Sequence, residues 1–133
     1  MTVSFGYTIF YVADVPATVS FYGDAFGLSA RFVTPEGDYG ELETGGVTLS
    51  FVAHELAESN LVAAGGFAPL PTDGAPVGAS ITLLTDDVAA AVDQAVAAGA
   101  RPYVGVTEKP WGQTVAYVID PNGILIEVAT PMG

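Results

Sequence analysis

The chain of 133 residues contains no cysteine. Disulfide staples, thiolate metal ligands and thiol catalysis are therefore excluded. It has no need of staples. A domain of this size buries roughly two-thirds of the surface its unfolded form exposes, and 50% of the residues are hydrophobic. Cations are almost as scarce. Arg31, Arg101 and Lys109 face fifteen acidic residues, for a formal net charge of −12. A nucleic-acid binder needs cations against the phosphates, so nucleic acid is excluded as a partner. An anionic membrane surface is disfavoured for the same reason. No apolar run approaches the ~20 residues that cross a bilayer. The opening MTVSFGYTIFYVADV has no basic flank before its apolar residues. It reads as a strand and not as an export signal, and the cytoplasm is the expected location. The acid excess has two readings: a surface that keeps a small protein soluble, or a field that draws in a cationic ligand.

What the sequence does have is a repeat. Residues 14–28 read DVPATVSFYGDAFGL and residues 87–100 read DVAAAVDQAVAAGA. Asp14 and Asp87 are natural N-caps, because a carboxylate there accepts from the free N–H groups of the first turn. Gly27 and Gly99 are natural stops. Val15, Val19, Tyr22 and Phe26 share one helical face, as do Val88, Val92 and Val96. A strand precedes each helix, at 6–13 and 79–85. Three more follow each: 29–34, 39–44 and 47–53 in the first half, then 101–106, 113–119 and 124–129 in the second. Pro35-Glu36-Gly37, Gly45-Gly46 and Asp120-Pro121-Asn122-Gly123 supply the turns. The stretch 55–78, rich in Gly, Pro and Ala, reads as a connection with a short helical start. The expected fold is α+β: two βαβββ modules in tandem (about 5–54 and 79–131) whose mixed sheets curl around a cleft, in one domain over 1–133.

Strand alternation assigns the faces. Ile124, Ile126 and Val128 should pack on the helix, as should Val47, Leu49 and Phe51. Leu125, Glu127 and Ala129 then face the other way, with Thr48, Ser50, Val52 and His54. Tyr7, Ile9 and Tyr11 share one face of the first strand. Trp111, on the Lys109-Pro110-Trp111-Gly112 loop, reads either as a rim residue that stacks on a planar or cationic ligand or as cover for the end of the core.

YVADVPATVSFYGDAFGL and KPWGQTVAYVIDPNGILIEVATP resemble the opening and closing segments of the glyoxalase/bleomycin-resistance/dioxygenase (vicinal oxygen chelate) family. The resemblance implies a divalent metal in the enzymes, held by His, Glu or Gln from the first and last strands of each half. Carried over by spacing from the capping aspartates and turn glycines, those positions are Tyr7, Ser50, Ser80 and Glu127. Only Glu127 is a ligand of the family's type; an offset would bring in Glu41 or Glu43. His54, the single histidine, is placed at the cleft mouth or as an ordinary surface or capping residue. Glu127 is either a carboxylate retained from a metal-binding ancestor or a polar anchor for a ligand.

The resulting expectation is a metal-free small-molecule-binding protein resembling the family's antibiotic-sequestering members. A planar or cationic ligand would meet Tyr7, Tyr11, Ser50, His54, Ser80, Trp111 and Glu127. No catalytic residue is assigned, no cofactor is expected, and binding is favoured over catalysis. The alternative is a metal-dependent lyase, isomerase or ring-cleaving dioxygenase, its divalent metal held by a non-standard set. A third reading is a structural role with the cleft filled by side chains. The resemblance also implies a homodimer.

Overall fold

The protein is described by a computed structural model over residues 1–132. The chain divides into two compact units, Met1–Gly23 with Gly27–Pro69, and Asp24–Phe26 with Leu70 onward. The first half runs β1 (Tyr7–Val12), α1 (Val15–Phe26), β2 (Ala30–Val33), β3 (Tyr39–Leu42), β4 (Thr48–Ala53), α2 (His54–Leu61) and a 3-10 turn (Val62–Ala64). The second runs β5 (Ser80–Leu84), α3 (Val88–Ala98), β6 (Arg101–Glu108), β7 (Thr114–Ile119) and β8 (Leu125–Ala129). Each half forms one open four-stranded sheet, ordered β1-β4-β3-β2 and β5-β8-β7-β6. In each, the strand before the helix pairs in parallel with the last strand, and the remaining pairs are antiparallel. This is the expected tandem βαβββ topology.

The caps act as the sequence implies. Asp14 accepts from the Ala17 amide at 3.0 Å and Asp87 from the Ala90 amide at 3.0 Å. Pro16 is tolerated because its missing N–H falls in the unsatisfied first turn. The helices close at Gly27 and Gly99. In the first unit Tyr22 is fully buried and stacks on Phe51 with ring centroids 5.4 Å apart. The helix can come this close because β3 carries a glycine beneath it. A Cβ at Gly40 would stand 3.0 Å from the Val15 side chain and 3.2 Å from that of Val19. In the second unit α3 lies on β6, β7 and β8, and Val88, Ala95, Ala116, Val118, Ile126 and Val128 are buried.

Alternation holds within the strands and fails at two ends. Leu49 and Phe51 are buried, but Val47 precedes β4 and is exposed. His54 does not extend β4. The strand ends at Ala53, and His54 opens α2. The following residues are good helix formers, and Glu55 in the first turn favours the positive end of the helix dipole.

Candidate functional site

Paired residues on adjacent strands share a sheet face. In the first unit β1 pairs Tyr7 with Thr48, Ile9 with Ser50 and Tyr11 with Val52. Strand β3 pairs Tyr39 with Val52 and Glu41 with Ser50. These side chains thus lie together on the face opposite α1. Ser50 is fully buried and Glu41 only 7% exposed, whereas Tyr7 is 58% exposed.

The polar groups on this face form one network. The Tyr39 hydroxyl donates to Glu41 Oε2 at 2.6 Å and lies 3.2 Å from Ser50 Oγ. A phenol has one proton, and it goes to the carboxylate, so the serine hydroxyl is the donor to the phenol oxygen. Arg31 Nη1 donates to Glu41 Oε1 at 3.1 Å and to Thr48 Oγ1 at 3.2 Å. Its Nε and Nη2 form a fork on Glu43 at 2.9 and 3.1 Å. A bulge makes this reach available. Ala30 pairs with Leu42 and Phe32 with Glu41, so Arg31 is the extra residue of β2. The fork holds the Glu43 carboxyl below its ordinary range, and the two carboxylates, Glu43 first, raise the guanidinium. Burial, then the bond to Glu41, pushes the Tyr39 phenol up.

At the end of this face Tyr11 meets Phe67 edge to face at 4.9 Å, and His54 lies 5.7 Å from the same ring. Phe67, from the connecting segment, thus brings two of the sequence-derived residues into one aromatic cluster. His54 is there as a helix-opening residue.

In the second unit β5 and β8 pair Ser80 with Leu125 and Thr82 with Glu127, and β7 sets Tyr117 opposite Glu127. Glu127 Oε1 accepts from Thr82 Oγ1 at 2.8 Å, and Oε2 accepts from the Tyr117 hydroxyl at 2.8 Å. Among the described residues no cation pairs with Glu127; both ion pairs belong to Arg31. The bond to Glu127, more than burial, raises the Tyr117 phenol. A groove of about 380 Å³ lies alongside, lined by Gly78, Ala79, Ser80, Tyr103, Val104, Tyr117 and Leu125. Trp111 lies elsewhere in this unit. It is 66% exposed and lines a pocket of about 570 Å³ with Gly112, Gln113, Pro131 and Met132. Its indole N–H donates to Gln113 at 2.8 Å, and Gln113 donates to the Thr130 carbonyl at 2.8 Å, so the ring is held in place.

The two faces are chemical inversions of each other. In the first, the carboxylate is on the third strand and a hydroxyl, Ser50, opposes it on the last. In the second, the carboxylate is on the last strand and the hydroxyl residue, Tyr117, on the third. Of the groups in these two networks, Ser50 and Glu127 are among the positions the resemblance implies, Glu41 and Glu43 enter there only by an offset, and Arg31, Tyr39, Thr82 and Tyr117 have no place in it. Two signals were available: the period-two run Tyr39, Glu41, Glu43, and Thr82 two residues beyond Ser80.

The Glyoxalase/Bleomycin resistance protein/Dioxygenase superfamily model matches residues 4–128. The chain belongs to that superfamily. Solved relatives agree on the fold. A glyoxalase-related enzyme from Fulvimarina pelagi superposes with a TM-score of 0.79 at 20% identity, covering 98% of this chain and 89% of its own. A family enzyme from Burkholderia phytofirmans PsJN gives 0.77 at 23% identity, covering 96% and 98%. TioX from Micromonospora sp. ML1 gives 0.68 at 21%, covering 96% and 98%. Among curated proteins, none matches the chain significantly.

A divalent metal is what family membership implies, and the donors present do not fit one. Among the described residues no group of three His, Cys, Asp or Glu could hold an ion. Metal sites of catalytic type present about three such ligands. Glu41 is already bound to a guanidinium and a phenol, and each oxygen of Glu127 accepts from a hydroxyl.

One consequence is directly measurable. In an alkaline ultraviolet titration, with Tyr117→Phe used to assign the signal, the Tyr117 phenol is expected to ionise above the ordinary tyrosine range. Glu127→Gln removes the negative acceptor and should bring that ionisation back down. An unaltered titration in Glu127→Gln would mean that the hydroxyl does not donate to this carboxylate.

Proposed function

We propose that the protein is a metal-free small-molecule-binding protein, akin in role to the sequestering members of its superfamily, and that it takes a planar, cationic compound. The observation that carries this reading is Glu127. It is half-buried, its partners are two neutral hydroxyls, and it adjoins a groove walled by Tyr103 and Tyr117. A half-buried carboxylate without a counter-ion attracts a cation that supplies one. Aromatic faces attract the same class of ligand, and the net charge of −12 draws it from a distance. Of the sequence-derived residues, Ser80 lines this groove and Glu127 stands behind it, bonded to the lining residue Tyr117. A cytoplasmic location and a homodimer belong to the same reading, on the resemblance.

The test is a thermal-shift screen of planar cations and matched neutral analogues. A ligand that binds only the folded state at a hundred times its Kd adds about 2.7 kcal/mol, so a hit is easily seen. Affinity for a cationic hit should fall in Glu127→Gln and Tyr103→Ala, and the preference over its neutral analogue should disappear in Glu127→Gln. A hit unaffected by both substitutions, or a screen in which no planar cation raises the melting temperature, overturns the proposal.

A further inference from the structure

The two sheet faces treat their carboxylates differently, and the difference turns on one residue. Arg31 is one of three cations in the chain. Four of its five N–H groups are used within the first unit: two in the fork on Glu43, one on Glu41 and one on Thr48. Two carboxylates with an adjacent hydroxyl make a set of hard oxygen donors, the kind that suits magnesium or manganese. A guanidinium suits the same oxygens through its planar fork, is always charged, and cannot leave because it is part of the chain. Glu41 is nearly sealed from water, so it needs a positive partner.

We propose that the guanidinium of Arg31 is the resident cation of this face, occupying the Glu41–Glu43–Thr48 oxygen set in place of a divalent metal. A metal arriving at Glu41 would have to take the carboxylate from its existing partner and stand beside a charge of its own sign. Exclusion of metal is then an active property of β2 as well as a shortage of histidines. The bulge that turns Arg31 onto the face is part of the device. Arg31→Gln should convert the set into a site for a hard divalent cation. The inference shares with the proposed function only the absence of metal, so the ligand screen and the metal measurement fail separately.

The experiment compares the native chain, Arg31→Gln and Arg31→Gln/Glu41→Gln by equilibrium dialysis against millimolar manganese, with bound metal counted by elemental mass spectrometry and folding followed by circular dichroism. The native chain should retain a small fraction of one manganese per chain. Arg31→Gln should approach one per chain and melt higher with manganese than without. The double variant should return to the native level. If Arg31→Gln is unfolded without metal, manganese should restore its native spectrum. The proposal is overturned if the native chain retains manganese stoichiometrically. It is equally overturned if Arg31→Gln neither takes up manganese nor is refolded by it, or if the double variant retains as much as Arg31→Gln.

Discussion

Tyr22→Ala is expected to lower stability by about 4 kcal/mol, the middle of the range for truncating a large buried aromatic. The side chain is fully buried, stacks on Phe51 at 5.4 Å, and meets Phe21 edge to face at 5.1 Å. It is the largest group that α1 contributes to the core of the first unit. Its removal leaves a cavity under a helix that already packs closely on the sheet at Gly40, beside Val15 and Val19. Urea unfolding monitored by circular dichroism measures the loss as a fall in midpoint. Tyr22→Phe keeps the stacked ring and should lose much less. A change below about 1.5 kcal/mol in Tyr22→Ala would mean that the site collapses freely and that the stack contributes little.

The second large effect comes from a glycine. Gly123 closes the last hairpin turn with φ +95°, a conformation that side chains rarely adopt. A Cβ built there would run into the carbonyl oxygen of Pro71, which is backbone and cannot rotate away. Left-handed strain alone costs a non-glycine residue about 1–3 kcal/mol, and the displaced segment adds to it. Gly123→Ala is therefore expected to cost about 3 kcal/mol or more. Gly46→Ala is the control, because Gly46 has open space around its Cβ position and no positive φ. It should lie within about 0.5 kcal/mol of the parent, as surface substitutions away from special features do. Equal effects at the two positions would refute the close approach to Pro71.

The fold was legible because its signals are local. Asp14, Asp87, Gly27 and Gly99 mark helix ends within a few residues of the groups they satisfy, and the period of two in β4 and β8 places Leu49, Phe51, Ile126 and Val128 without knowledge of their partners. These local signals give out where the chain leaves a regular element. Alternation alone carries β4 back to Val47 and on to His54, because it cannot say where a strand stops. The site was only half legible. Ser50, Ser80 and Glu127 are positions that the family resemblance implies. The groups around them are not, since Tyr117 meets Glu127 through a cross-strand register and Arg31 reaches Glu41 through a bulge. Neither leaves a mark on the sequence except in retrospect. Trp111, expected beside Ser80 and Glu127, lines a different pocket from the groove at Ser80.

The inverted placement of carboxylate and hydroxyl on the two sheets bears on how a duplicated module can diverge. Each half neutralises or hydrogen-bonds its own acid with side chains of its own sheet: Glu41 through Arg31 and Tyr39, Glu127 through Thr82 and Tyr117. An exchange across one strand pair therefore needs no compensating change in the sister repeat. Either acid can thus change together with the partners on its own sheet.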